Sequence, residues 1–381
     1  MKFSVLSDIL AVYVFLLPVC SCTGGNSSHK GDYEEIPLRY SRNFRMEDTG
    51  EGCTIVSLRN PWDTTKTQAV YALVDKGRDI PSDLRKDAIV LRTPLEKSVV
   101  YSSVHVNLLD ELGAFSSISG VCDPQYILNP KALKAIEDGS ILDCGNSMAP
   151  NMEKIIASRP GAVLLSPYEN SNDNVKFANT GIPVVLTADY MESTPLARAE
   201  WMRFYGRLFG KGAEADSLFA EVEKNYMDAS KIALGEKKRP MVLFDLIYSN
   251  IWNVPTSGSV TGRLIEDAGG TNPFAEQTKA GSAQLSPEEV LVKAQNADIW
   301  LIRYNEPKDF TLTKLADDNP MYQRFKAYKD GNVYVSDTST SGIFEDGSFH
   351  PDRVLKEMVR LIHPEKAETL PGKSYYEKVD R

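Results

Sequence analysis

Histidine is scarce in this chain of 381 residues, with four in all, at positions 29, 105, 350 and 363. No two stand at i, i+4 spacing and there is no HExxH, which excludes a helical two-histidine metal site. GxxxxGK[ST] is also missing, so no phosphate-cradling P-loop is present, and no GxSxG supplies a nucleophile elbow. The segment Gly258-Ser259-Val260-Thr261-Gly262 lacks the strand and GxGxxG pattern of a dinucleotide site. Serine and aspartate are plentiful, but a hydrolytic triad also needs a histidine. No long Lys/Arg block is present, and acids outnumber bases 52 to 43, so nucleic acid is not an expected partner. A hydrophobic fraction of 42% with 25% charged residues excludes wholesale disorder and a polytopic membrane protein. These absences point away from an enzyme, a resident metal and a cofactor.

The N-terminus carries an address. Lys2 precedes the apolar run Ile9-Leu10-Ala11-Val12-Tyr13-Val14-Phe15-Leu16-Leu17, which is too short to span a bilayer. Val19-Cys20-Ser21-Cys22 then leads into Thr23-Gly24-Gly25-Asn26-Ser27-Ser28. This resembles a bacterial lipobox, with Cys22 as the acylated residue because Ser21 before it is small. The alternative is an ordinary signal peptide with incidental cysteines. On the lipobox reading the protein is anchored by lipid in the bacterial periplasm or cell envelope. Cys53, Cys122 and Cys144 remain, with no zinc or CxxC spacing. Cys122 and Cys144 are expected either to bridge or to stay as two buried thiols.

The periodicity divides the rest. Residues 1–21 read as signal and 22–50 as tether. Residues 51–97 read as a β-rich section, with strand patterns at 54–58, 68–74 and 88–91. From 98 to 193, short apolar runs such as Ala162-Val163-Leu164-Leu165 alternate with helical stretches, the mark of a parallel α/β lobe. Pro195 opens a helical stretch to Leu234, expected as one or two helices connecting lobes over 194–235. The same rhythm returns over 236–381. There Ser286-Pro287-Glu288-Glu289 is a strong helix start, and His350-Pro351 opens the last helix with His350 expected as its cap. His105 is expected on a helix face.

Four segments, in order, resemble the binding proteins that deliver iron–siderophore complexes, haem or vitamin B12 to ABC importers. They are the strand–helix unit from Val99 to Gly113 and the run Met152 to Leu164, with Gly161 where that family usually has Asp. Gly181-Ile182-Pro183-Val184-Val185 before the connecting helices and Gly262 to Phe274 with its Ala268-Gly269-Gly270 complete the set. The resemblance spans roughly 98–362, and the block 54–97 departs from the pattern. It implies two Rossmann-like α/β lobes bridged by a long rigid helix, with the ligand cleft between them. It also implies an iron chelate or corrinoid as ligand, and a permease dimer with its ATPase as partners. Ligands bind at the carboxyl ends of parallel strands, so the candidates are Trp252, Arg303, Tyr304 and Tyr168; Trp62 and Tyr101 are further candidates in the N-terminal part. The family's docking acids suggest Glu137 and Glu266. The alternatives are a chelatase-like enzyme on the same scaffold and a surface lipoprotein that relays ligand.

Overall fold

A computed structural model describes residues 33–169, 176–305 and 310–381. The signal segment and Cys22 lie outside these residues.

Five parallel strands build the first lobe: β6 (Ser98–Val100), β7 (Ile118–Val121), β8 (Leu142–Asp143), β11 (Ala162–Leu165) and β12 (Val184–Leu186), in the order β12-β11-β6-β7-β8. All are short, and β11 with its neighbour β12 is wholly apolar and buried, the pattern of parallel strands covered on both faces. Helix Ser103–Glu111 ends where Gly113 turns at φ 71°, a left-handed position that suits glycine. The second lobe has β13 (Val242–Phe244), β17 (Ile299–Tyr304) and β18 (Val333–Asp337) in parallel, closed by the antiparallel β19 (Glu377–Lys378). Beside it lies an antiparallel sheet of β14 (Ile247–Tyr248), β15 (Ile251–Pro255) and β16 (Ser282–Leu285). The expected capping box forms: Ser286 Oγ accepts from Glu289 N, and Ser286 N donates to the Glu289 carboxylate.

The connection between lobes is three consecutive helices, Pro195–Glu200, Met202–Leu208 and Gly212–Leu234, rather than one or two. Gly206 permits the sharp join. A Cβ there would lie 2.4 Å from Ala215 Cβ and 2.7 Å from Lys211 O.

Residues 22–50 were expected to be tether, and here the structure corrects the reading. β1 (Glu34–Ile36) and β2 (Phe44–Asp48) pair in one sheet with β3 (Cys53–Arg59), β4 (Thr67–Asp75) and β5 (Ile89–Thr93). One face of this sheet is continuous with the core of the first lobe. Phe44, Met46, Leu58 and Tyr71 pack in one cluster with Trp201 and Phe204 of the connecting helices. Two buried carboxylates fasten it: Glu200 accepts from the backbone N–H of Arg39, Tyr40 and Ser41 at 2.8–2.9 Å, and Glu192 from Ser41 Oγ and Trp201 Nε1. Buried carboxylates survive only when hydrogen-bonded this fully.

Cys122 and Cys144 are buried free thiols, as is Cys53. Burial pushes the Cys53 and Cys144 pKa values up to about 11, so these sulfurs are weak nucleophiles.

Candidate functional site

A parallel strand delivers the residue after it to the carboxyl edge of its sheet, and both lobes use that edge. In the first lobe β6 leads to Tyr101, β11 to Ser166 and Tyr168, and β12 to Thr187, Asp189 and Tyr190. Tyr168 and Tyr190 are exposed, while Tyr101 is half-buried. Ser166 Oγ and Thr187 Oγ1 bond at 3.1 Å and tie two of these loops together. In the second lobe β13 leads to Asp245 and Tyr248, β17 ends at Arg303 and Tyr304, and Phe344 follows β18. Tyr248, Tyr304 and Phe344 are all exposed. The strand-end loops thus carry a rim of aromatic faces on both lobes, the surface type that covers large flat ligands.

Below the rim is a cavity of about 160 Å³ lined by two guanidinium groups, Arg198 from the first connecting helix and Arg303 from β17, together with Phe244, Phe344 and Tyr376. Asp245, held at φ 57°, takes Arg303 Nε at 3.1 Å and Nη2 more closely. Burial alone would lower the Arg303 pKa, but the charge of Asp245 overrides it and raises it. The cation also lies 5.6 Å over the Phe244 ring. A guanidinium has five N–H donors, so the pairing with Asp245 leaves others for ligand oxygens.

Arg198 is placed by a buried network. Its Nε approaches Asp189 Oδ2 at 3.4 Å, while His105 Nε2 meets Asp189 Oδ1 at 2.9 Å and Tyr205 donates to the same oxygen at 2.8 Å. Burial pushes the Asp189 carboxyl up, but His105, Arg198 and Tyr205 outweigh it and hold the pKa below the ordinary value. His105 and Asp189 resemble half of a catalytic triad, yet both are almost fully buried, at 2% and 1% exposure. Their work is to position. His105 sits on the helix Ser103–Glu111 as expected, turned inward.

Helix Ser103–Glu111 also closes the lobes on one another. Ser103 Oγ donates to Glu345 Oε1 at 3.3 Å, His350 Nε2 meets Glu111 Oε2 at 2.5 Å, and Arg353 lies 3.6 Å from Glu111. His350 stands at the N-cap of Pro351–Ile362 as expected, but its side chain makes this contact across the lobes instead of a cap bond.

Two candidates do not reach the site. Trp252 is 0% exposed: it alternates inward on β15, donates from Nε1 to Phe244 O at 2.8 Å, and packs on Trp300, Tyr322 and Phe325. The exposed aromatic there is Tyr248, next to the turn at Ser249 and Asn250. Trp62 belongs to the β3–β4 connection of the N-terminal sheet, its N–H bonded to Asn60, and not to a strand-end loop.

Glu137 and Glu266 are also displaced from the cleft. Each lies in the last turn of its helix, Pro130–Glu137 and Val260–Asp267. The chain next enters β8 after Glu137, and after Glu266 it reaches Thr271, which bridges to Met241 at the start of β13. Both acids therefore sit at the amino edge of their lobes, opposite the cleft. Glu266 is further engaged by Arg263 at 3.7 Å.

Sequence reasoning missed Arg198, Asp189, Tyr190, Tyr248 and Phe344. The rule that selected Tyr168 would also have found Tyr190, four residues past Leu186. Nothing in the helical spacing around Arg198 marks it as cleft-lining.

The family described as "Periplasmic binding protein" matches residues 99–340. The chain belongs to that family. Its members are binding proteins rather than enzymes. As a periplasmic binding protein it is 28% identical to an uncharacterized lipoprotein of Methanocaldococcus jannaschii, over 86% of this chain and 82% of the relative. The iron-uptake system-binding protein of Bacillus subtilis is 25% identical over 50% of this chain and 60% of its own length. Among solved structures, the apo periplasmic haem-binding protein RhuT of Roseiflexus aligns with a TM-score of 0.58 at 19% identity, covering 71% of this chain and all but 2% of its own. The family match begins at residue 99, so the N-terminal sheet lies outside the residues it covers.

Proposed function

We propose that this binding protein captures an iron chelate, haem or a corrinoid between its lobes and delivers it to an ABC importer. The carrying observation is the pair of guanidinium groups, Arg198 and Arg303, in one cavity beneath facing aromatic rims. Anionic oxygens on a large, partly apolar ligand match this arrangement: charge-assisted bonds below, ring faces above. Tyr101, Tyr168, Tyr304 and Arg303 keep their proposed roles, and Tyr190, Tyr248, Phe344 and Arg198 join them. The names of the relatives, iron uptake in one and haem binding in another, support the same reading. Native mass spectrometry of the protein against ferric catecholates, ferric hydroxamates, haem and cobalamin tests it. One class should bind in 1:1 ratio, and binding by none would refute the reading.

Delivery requires the cleft mouth to face the permease. An acid in contact with the permease therefore belongs at the carboxyl edge, which moves the first-lobe assignment from Glu137 to Glu153. That residue is exposed in the first turn of Met152–Ser158, after the edge hairpin of β9 (Gly145–Asn146) and β10 (Ala149–Pro150). Rim charges act on encounter and orientation, so Glu153→Ala should reduce importer-stimulated ATP hydrolysis while Glu137→Ala and Glu266→Ala leave it unchanged. The reverse pattern would restore the earlier pair.

The lipid anchor at Cys22 is part of the same proposal, supported by the lipobox and by a relative named as a lipoprotein. Mass analysis of the mature N-terminal peptide should find an acylated Cys22; an unmodified residue, or cleavage elsewhere, would exclude the anchor.

A further inference from the structure

Behind the first lobe, at the edge opposite the cleft, the N-terminal sheet meets the amino ends of the lobe's strands and leaves a groove of about 390 Å³. Its rim carries four cations, Lys76, Arg92, Lys97 and Arg159, and one acid, Glu96. Its floor is apolar, with Leu91 and Leu95 buried beneath. Lys76 and Glu96 pair at 2.5 Å, and Arg92 donates to Arg78 O at 2.6 Å, which leaves Lys97 and Arg159 facing solvent in a groove whose lining carries three net positive charges in all. The setting makes this unusual, because the chain as a whole carries −9.

A second, independent observation lies beside it. Tyr33, the first described residue, bonds Asp83 at 3.2 Å and packs, as Val90 does, against the cluster of Cys53, Ile55, Val70, Ala72 and Val74 on the outer face of the N-terminal sheet, and Val90 also lines the groove. The chain leading back to Cys22 therefore leaves at the β1 edge of the sheet whose β5 edge carries Arg92, four strand spacings or about 19 Å away. Residues 23–32 separate the two points, and ten residues reach at most about 35 Å even fully extended. We infer that this groove is a membrane-docking site that receives the phosphate headgroups of anionic lipids. The proposal rests on the acylated Cys22 of the preceding section for its location at the membrane. Its charge complementarity stands without it.

The physics favours a surface-bound headgroup over a lone soluble anion. Basic groups gain from a negative lipid surface within a Debye length, and a basic patch reinforces a covalent lipid anchor. The net negative charge of the chain as a whole repels the same bilayer, which favours approach by a basic face such as this one. Docked so, the molecule holds its cleft away from the membrane. That is an orientation for capturing ligand, and handing ligand to a permease then requires release from the lipid.

The test uses the chain from residue 23 onward, which carries every described residue and no acyl group. Its co-sedimentation is measured with vesicles of phosphatidylcholine alone and of phosphatidylcholine mixed with phosphatidylglycerol. At low salt, binding to the mixed vesicles should exceed binding to the neutral ones roughly fivefold or more and collapse at high salt. The variant carrying Arg92→Gln, Lys97→Gln and Arg159→Gln should fall to the neutral level with an unchanged melting curve, since all three side chains are exposed. Equal sedimentation with both vesicles, or undiminished binding by the variant, overturns the proposal. So does saturable binding of inorganic phosphate at these residues without vesicle binding, which would make the groove a soluble-anion site. The anchor is judged separately: an unmodified Cys22 together with a preference for phosphatidylglycerol sinks the anchor and keeps the groove.

Discussion

The two edges of the first lobe differ in chemistry although one set of strands builds both. At the carboxyl edge the strands end in Tyr101, Ser166, Tyr168, Thr187 and Tyr190, aromatic and hydroxyl groups above a buried acid, Asp189. At the amino edge the same strands begin beside Lys97, Arg159 and Gly161, cations over an apolar floor. A parallel sheet makes this possible because all its loops of one kind gather on one side. Recognition of a flat anionic ligand and adhesion to an anionic surface call for different side chains, and here they are separated by the length of the strands.

The largest expected effect lies beneath the carboxyl edge of the second lobe. Trp252→Ala should lower stability by about 4 kcal/mol through lost packing and the lost bond to Phe244 O. Denaturant titration measures it. If stability holds and only ligand affinity falls, Trp252 is a contact residue after all.

Next comes Asp189→Asn, expected to cost about 3 kcal/mol because it removes the buried carboxylate that pairs with the half-buried Arg198 and bonds His105 and Tyr205. The pH dependence sharpens this. The folded-state pKa of Asp189 lies below its unfolded value, so its contribution is complete at neutral pH and is lost as pH falls through the folded pKa. The stability gap between wild type and variant should therefore narrow below about pH 4. A gap that widens on acidification would contradict the assignment.

Arg303→Gln should weaken ligand binding by about 2 kcal/mol, the scale of a charge-assisted bond, read by titration with whichever chelate the panel identifies. The smallest effect marks the contrast between edges: the triple amino-edge variant should leave that same titration within about 0.5 kcal/mol of wild type. Coupling between the edges would show as a larger shift.

Most of the architecture was legible because buried parallel strands read as unbroken apolar runs. Ile118–Val121 falls where its pattern placed it, and the Ser286–Glu289 box forms as read. Phe44-Arg45-Met46-Glu47-Asp48 does alternate, but five residues among polar neighbours give too little signal, so a strand was taken for tether. The site was legible only by position. The rule that strand ends face the cleft selected Arg303, Tyr304 and Tyr168, and all three lie at the carboxyl edge. It failed for Trp252 because the chain turns at Ser249-Asn250 into a hairpin, and alternation along β15 then carries the indole inward. Arg198 was invisible because its role depends on Asp189, nine residues before it, and on Arg303, far along the chain, which only the fold brings together.

The central claim is that ligand is held between the carboxyl edges of both lobes. Amide hydrogen exchange, with and without the tightest-binding chelate of the panel, tests it most directly. The account predicts added protection at residues 101–105, 166–168 and 187–190 of the first lobe together with 245–248, 302–305 and 338–344 of the second, and none at 76–97. Protection confined to one lobe, or appearing at the amino edge, would contradict it.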